Sequence, residues 1–170
     1  MAVDLTLKGT AITNREATPR VLNAPGLGEG AVEKCAYGYL ASVTASLSIT
    51  SVIRLVSVPS NAIVTKVEIQ SAAQTAGKFD VGLWRTNGDG GAVVDQDFFA
   101  TAVDCASAVV TTDVTNESGT YTIAKQAQPI WQAAGMTSDP KSQLDIACTV
   151  AATDVTTGTG AISLRVKYVQ

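Results

Sequence analysis

The sequence contains no histidine, and this absence excludes several classes of active site. Histidine is the commonest general base near neutral pH and the usual zinc ligand, so the chain has neither a Ser-His-Asp triad nor a Cys-His pair. Cysteine is also scarce, since the 3 cysteines are widely spaced and match no metal-ligand pattern. Three thiols cannot all pair within one chain, which favours a reducing compartment, and we predict that Cys148 is a small buried apolar residue.

Basic residues are few and scattered, with 12 Lys and Arg against 15 Asp and Glu and a formal net charge of −3. Proteins that bind nucleic acids usually concentrate basic residues on one face, so we expect no nucleic-acid partner. No basic residue lies between Arg85 and Lys125, although that interval contains the acidic residues Asp89, Asp95, Asp97, Asp104, Asp113 and Glu117. Such an interval is either a solvated acidic edge or a surface that faces a basic partner.

Long apolar runs are missing as well. No stretch approaches the roughly 20 apolar residues of a membrane-spanning helix, and the N-terminus lacks the basic region and apolar core of a signal peptide. We therefore expect a soluble protein that is synthesised in the cytoplasm and has no membrane partner. With 170 residues the chain is long enough for one domain with a substantial core, and a second independent domain is not expected.

The strongest pattern that the sequence does contain lies in residues 51–84. The β-branched run VIRLVSV ends at a Pro-Ser-Asn turn, and the following AIVTKVEIQ alternates apolar residues with the polar Lys66, Glu68 and Gln70. KFDVGLW repeats the alternation, with Trp84 on the polar side. This pattern predicts three strands, each with one buried and one solvent-exposed face.

Residues 1–35 differ from the rest of the chain. They contain Pro19, Pro25 and several glycines, with only one short alternating stretch, VDLTLKG. We predict that they form an extended N-terminal arm, which is either a disordered tail or a strap that becomes ordered on a neighbouring subunit. The apolar Leu5, Leu7 and Leu22 favour the strap.

Residues 36–170 are predicted to form a single all-β domain, an antiparallel β-sandwich of the jelly-roll type with one or two short helical turns. We expect a strand in AYGYLASVTASLSI, a turn at NGDGG, a helical turn capped by Asp95 or Asp97 around Phe98 and Phe99, and a strand in TYTIAKQAQ. Residues 129–135 predict a short helix that ends at glycine. The two alternating segments QLDIACTVA and AISLRVKYV predict a C-terminal hairpin.

The sequence contains no strong signal for a catalytic, metal-binding or sugar-binding site. Asp95 and Asp97 lie near the loop that carries Asp89, but their spacing matches no known calcium loop, and turn capping and solvation explain them better. A glycosidase would need two carboxylates that face each other across a groove, which spacing alone does not establish. Trp84 and Trp131 are either stacking platforms for a sugar or packing residues. We therefore predict no catalytic residue, no metal and no cofactor.

Several segments together resemble a known family. The succession VIRLVSVPSNAIVTKVEI, FDVGLW, GGAVVDQDFFATAVD, PIWQAAGMTSDP and GAISLRVKYV is similar to small virion proteins of tailed bacteriophages that are regarded as head decoration or cement proteins. The resemblance covers residues 51–170, and residues 1–50 match less well. It implies a jelly-roll-like protein that binds the major capsid protein on the outside of the assembled capsid, often as a trimer, and it supplies no active-site residues.

Residues and resemblance together predict a structural protein of the virion that stabilises the capsid without catalysis. The alternatives are a carbohydrate-binding module that presents Trp84 to a glycan, and a fibre-, tail- or head-completion component with the same fold. The residues that we expect to contact the capsid or a neighbouring subunit are Leu5, Leu7, Arg15, Arg20 and Leu22 in the arm, and Lys66, Glu68 and Trp84 on the sandwich.

Overall fold

Eight β-strands account for most of the regular structure in the computed structural model, which describes residues 13, 16–19, 21, 32–43, 46–155 and 160–170. A 3-10 turn spans Asn87–Asp89, and a single helical turn, α1, spans Ile130–Ala133. The strands are β1 (Glu33–Leu40), β2 (Val52–Pro59), β3 (Ile63–Ser71), β4 (Lys78–Arg85), β5 (Val93–Asp104), β6 (Val109–Asp113), β7 (Gln143–Val150) and β8 (Ile162–Val169). β2, β3 and β4 confirm the strands predicted for residues 51–84.

The strands form two four-stranded sheets in which every neighbouring pair is antiparallel. Sheet I has the order β1-β8-β3-β6, and sheet II has the order β2-β7-β4-β5. Eight antiparallel strands that cross between two sheets in this way form a jelly roll. The predicted all-β sandwich of the jelly-roll type is therefore confirmed.

The core lies between the two sheets, where the alternation along each strand places its apolar face. Val67 and Ile69 of β3 are fully buried, and Cys148 of β7 is buried as predicted. Phe79, Phe98, Phe99 and Tyr121 are the largest of the fully buried side chains. The Tyr121 hydroxyl donates a hydrogen bond of 2.7 Å to the carbonyl oxygen of Val64, which satisfies the polar end of this buried ring.

The predicted C-terminal hairpin is wrong. β7 pairs with β2 and β4 in sheet II, whereas β8 pairs with β1 and β3 in sheet I. The alternation in both segments correctly predicts the buried face of each strand, since Leu144, Ile146 and Cys148 of β7 and Leu164 and Val166 of β8 are buried in the core. Alternation identifies the buried face of a strand but not its hydrogen-bonding partner, and the two strands belong to opposite layers of the sandwich.

The helical turn predicted around Phe98 and Phe99 is also wrong, since both residues lie in β5. Val81 pairs with Ala100 and Leu83 pairs with Asp95, so β5 advances five residues while β4 advances two. The three additional residues form a bulged stretch in which successive side chains are buried, and this breaks the alternation that marks a regular strand.

The strand predicted in TYTIAKQAQ is wrong too, because residues 121–127 form turns and bends. Tyr121 is buried there while Ile123 is 88% exposed, so the segment has no continuous apolar face.

The short helix is confirmed as α1, and Gly135 follows it with a φ of 75°. Gly90 and Gly91 have φ values of 86° and 65°, which confirms the predicted turn at NGDGG.

The predicted arm, residues 1–35, lies mainly outside the described residues, and its extended form stays a prediction. The first strand, β1, begins at Glu33. Among the described residues, no helix is long and apolar enough to cross a membrane.

Candidate interaction surface

The outer face of sheet I places charged side chains from four strands beside one another. Glu68 of β3 is paired in register with Arg165 of β8 and with Asp113 of β6, and Lys66 is paired with Lys167. We call this part of the sheet the charged half, and it contains three acidic and three basic residues: Glu33, Glu68, Asp113, Lys66, Arg165 and Lys167.

These charges are paired with one another. The Lys66 Nζ atom lies 2.7 Å from Glu68 Oε1 and 3.9 Å from Asp113 Oδ2. Arg165 Nη1 lies 3.9 Å from Glu68 Oε2, so Glu68 stands between two cations. The hydrogen bond from Lys66 to Glu68, together with the negative charge of that carboxylate, raises the pKa of Lys66 above its ordinary value. A partner that binds the charged half contacts a surface with no local net charge, on which positive and negative side chains lie side by side.

The other end of the same outer face is uncharged and partly aromatic. Tyr37 and Tyr39 project outward from β1 and are 57% and 65% exposed, because residues two apart on a strand share a face. They line one side of an open groove of about 420 Å³, which we call the tyrosine groove. The residues that line the groove belong to the four strands of sheet I or directly adjoin them. They are Tyr37, Tyr39, Gln70, Ser71, Ala72, Ala108, Val109, Val110, Ala161, Ile162 and Ser163.

Sequence reasoning missed this groove. The spacing Tyr-Gly-Tyr in residues 37–39 is the one signal that it offered, since two exposed tyrosines on one face of an edge strand are unusual for a solvated surface. Ser163 is paired in register with both Tyr39 and Gln70, and these three residues come from distant parts of the chain.

Trp84 lies in sheet II, away from Lys66 and Glu68, so the structure does not bring these three predicted contact residues together. Its ring is half-buried, with the Arg54 guanidinium 5.4 Å from the ring centroid. Its Nε1 atom is buried and has no hydrogen-bond partner among the described residues. Arg54 also donates to Asp145 Oδ2 at 2.9 Å and to the Gly91 carbonyl at 2.7 Å, so this cluster fastens the turn after β4 to sheet II.

The predicted arm contacts Leu5, Leu7, Arg15, Arg20 and Leu22 lie outside the described residues, and their role stays a prediction. Trp131 is half-buried in α1. No group of three or more His, Cys, Asp or Glu side chains gathers as a possible metal site within the described ranges.

The acidic interval after Arg85 is used mainly in local hydrogen bonds. Glu117 accepts from the Thr101 amide, Asp104 accepts from the Ala106 amide, and Asp113 accepts from the Thr115 amide. Asp95 differs, because partial burial and the neighbouring Asp97 carboxylate raise its pKa. The Asp97 backbone amide and Lys125 act in the opposite direction.

Comparisons with known proteins identify the fold. The sequence matches no protein-family model and no curated protein. The structure is similar to a chain of the cyanophage Pam1 capsid asymmetric unit, with a TM-score of 0.53, 17% identity, and coverage of 91% of this chain and 96% of that chain. It is also similar to a chain of the capsid of Ralstonia phage GP4, with a TM-score of 0.57, 16% identity, and coverage of 86% and 90%. At this level of sequence identity, the similarity shows that this chain has the same fold as these phage capsid chains, and it shows the fold alone.

Proposed function

We propose that this protein is a non-enzymatic structural component of a tailed-phage virion that binds the outside of the assembled capsid and stabilises it. The observation that carries the proposal is the extent of the similarity to chains of phage capsid structures, which covers 91% of this chain and 96% of the cyanophage Pam1 chain. Most of the chain, and not only a common subdomain, corresponds to nearly the full length of that capsid chain. The sequence resemblance of residues 51–170 to decoration proteins supports the same role.

In this proposal the sandwich provides the rigid body, and the N-terminal arm provides contacts with the capsid or a neighbouring subunit. Leu5, Leu7 and Leu22 supply apolar anchors, and Arg15 and Arg20 supply charges. On the sandwich, Lys66 and Glu68 lie on the outer face of sheet I, whereas Trp84 lies in sheet II. One flat capsid surface does not reach both sheets of a sandwich at once.

The two sheets therefore serve two partners. We assign the charged half of the outer face of sheet I to the major capsid protein and the Trp84 side of sheet II to a neighbouring copy in a trimer. A closed trimer uses a heterologous contact of this kind, in which one patch meets a different patch on the next subunit.

Binding stabilises the capsid through mass action. A protein that binds the assembled lattice but not the dispersed subunits adds its binding free energy to that of the shell. A trimer that engages several capsid subunits at once converts later contacts into intramolecular events, so individually weak contacts are sufficient.

Deletion of residues 2–30 tests the role of the arm. We expect the deletion variant to lose co-sedimentation with expanded capsids while it keeps the circular dichroism spectrum and unfolding midpoint of the full chain, because β1 begins only at Glu33. Capsids with the full chain bound should also withstand heating better than capsids alone. Unchanged co-sedimentation of the deletion variant would remove the arm from the proposal, and a full chain that never sediments with capsids would overturn the proposal itself.

A further inference from the structure

The tyrosine groove differs chemically from the rest of the outer face of sheet I. Its lining contains no charged side chain, although the charged half of the same face holds six. Its volume of about 420 Å³ is in the range of small-ligand sites. The groove is open to solvent, so a ligand would lie along it rather than be enclosed.

The two rings that line the groove stack against each other, and we call this pair of rings the platform. The ring centroids of Tyr37 and Tyr39 are 6.0 Å apart and the ring planes differ by 26°. Arg165 braces the first ring, with its Cζ atom 5.8 Å from the Tyr37 centroid, and Arg165 is itself held by Glu68. Because both tyrosines are on one strand of a paired sheet, the platform needs no loop movement to form.

Polar groups lie beside the platform. Ser163, paired in register with Tyr39 and Gln70, donates a hydrogen bond of 3.4 Å to the Gln70 carbonyl oxygen. The side-chain amide of Gln70 is exposed and makes no hydrogen bond within the described part of the chain. It therefore offers one free donor group and one free acceptor in the same groove as the aromatic rings.

We propose that the tyrosine groove binds a neutral oligosaccharide. A sugar ring packs its C–H face on an aromatic ring, and its hydroxyl groups hydrogen-bond with amide and hydroxyl side chains, which is the combination that Tyr37, Tyr39, Gln70 and Ser163 present. The uncharged lining complements an uncharged ligand. An acidic glycan would need a free cation, but Arg165, which lies beside Tyr37, is already engaged with Glu68 and Tyr37.

An extended peptide fits the same groove less well. The groove runs across sheet I, and its central strands β8 and β3 are each paired on both sides. Peptides that add to a sheet use the unpaired backbone groups of an edge strand, which the middle of this groove lacks. The groove lies at the opposite end of this face from the charged half that we assign to the capsid, so its proposed role is separate from the capsid contact. Display in many copies on one capsid would multiply its avidity.

The test uses the full chain in solution, without capsids. A panel of neutral and acidic oligosaccharides of four to six units is screened first on an array and then by titration followed by two-dimensional amide NMR. We expect saturable binding of at least one neutral oligosaccharide, with shifts centred on Tyr39, Gln70 and Ser163. Replacing both tyrosines by alanine (Y37A and Y39A together) should weaken binding at least about tenfold, while Tyr39→Phe, which keeps the ring, should stay within about threefold.

Ile123→Ala is the matched control, because Ile123 is an 88% exposed apolar residue outside the groove, and it should leave binding unchanged. The proposal is overturned if no neutral oligosaccharide binds, if only acidic ones do, or if binding survives the double alanine variant. A synthetic peptide of residues 1–31 that binds the groove in place of any sugar would also overturn it. Capsid co-sedimentation of the double variant separates the two proposals: we expect it to be normal, and its loss would make the groove a capsid contact instead.

Discussion

Gly38 of β1 lies directly against the backbone of Leu55 in β2, so that a Cβ atom added to Gly38 would stand 1.8 Å from the Leu55 carbonyl oxygen. β1 is an edge strand of sheet I and β2 is an edge strand of sheet II. This contact therefore closes one side of the sandwich, and only a glycine allows the two backbones to approach so closely.

The first prediction follows from that contact. Gly38→Ala should lower the free energy of unfolding by about 2–3 kcal/mol, because one of the two strands must move to admit the methyl group. Urea denaturation followed by circular dichroism measures the change.

The matched control for this prediction is Gly88→Ala. A Cβ on Gly88 meets only the Thr86 Oγ1 atom, at 3.8 Å, so this variant should stay within about 0.5 kcal/mol of the wild type. Equal effects at both positions would show that the close approach of β1 and β2 does not matter for stability.

The strands were predictable from sequence wherever one buried face alternates with one exposed face. Residues 63–71 show this well, with Val67 and Ile69 buried and Gln70 exposed. The alternation fails where pairing is irregular, as at Phe98 and Phe99, whose burial depends on a bulge against β4. Alternation does not indicate which strands pair with each other, because pairing depends on contacts between residues far apart in the chain.

The candidate sites were less predictable for the same reason. Lys66 and Glu68 are adjacent on one strand, and their shared face was visible in the sequence. Tyr39, Ser163 and Gln70 come together only because β8 lies between β1 and β3. Trp84 had the correct parity for an exposed face, but Arg54 covers its ring, which no local pattern indicates.

A second prediction concerns the half-buried ion pair of Arg54 and Asp145. The Arg54 Nη1 atom lies 2.9 Å from Asp145 Oδ2, and Ser57 donates a further hydrogen bond of 2.6 Å to Asp145 Oδ1. Arg54→Met should lower the free energy of unfolding by about 2–3 kcal/mol, because it leaves the Asp145 carboxylate and the Gly91 carbonyl without this donor. Chemical denaturation of the single and double variants with Asp145→Asn measures the coupling.

The coupling energy of the two substitutions should be about 1–2 kcal/mol. Lys167→Met is the control, because Lys167 forms an exposed pair with Glu33 at 3.7 Å and should cost no more than about 0.5 kcal/mol. Additive effects of the Arg54 and Asp145 substitutions would contradict the pair as a stabilising contact.

A third prediction is a pH dependence at Asp95. Partial burial, and then the hydrogen bond and negative charge of Asp97, raise the pKa of Asp95 in the folded protein, against the opposing effect of Lys125. A carboxyl whose pKa is raised on folding stabilises the fold below its unfolded pKa of about 4. That contribution is lost as the pH rises through the folded pKa.

At pH 7 the charged Asp95 therefore costs stability, and Asp95→Asn should be more stable than the wild type by about 0.5 kcal/mol. The difference should shrink as the pH falls towards 4, which thermal unfolding across the pH range measures. Asp154→Asn is the control, because Asp154 is exposed and its hydrogen bond from the Ile49 amide can still be accepted by asparagine. A stabilisation by Asp95→Asn that is the same at every pH would refute the argument.

A fourth prediction tests the capsid-binding role proposed for sheet I. Lys66→Glu places a third carboxylate beside Glu68 and Asp113, which changes the charged half from locally neutral to net negative. Because complementary charge governs association, affinity for expanded capsids should fall at least about fivefold, with a weaker dependence on salt. Lys125→Glu, which makes the same charge change beside Phe98 of sheet II, serves as the comparison. Equal capsid affinity of the two variants would remove this face from the proposed contact.

The last prediction concerns the three cysteines. Cys35 is exposed on β1, whereas Cys105 and Cys148 are buried. Burial raises the pKa of the Cys105 thiol to about 11 and raises that of Cys148 further, and a thiol reacts through its thiolate.

Ellman's reagent at pH 8 should therefore modify one thiol per chain rapidly and the other two only after denaturation. For the buried pair, reaction requires opening of the core, which slows modification at least about a thousandfold in a stable domain. Cys35→Ser should abolish the rapid phase and leave the slow phase unchanged. Rapid modification of two or three thiols in the native protein would mean that the two sheets do not enclose Cys105 and Cys148 in solution, and the packing described for β7 would then be wrong.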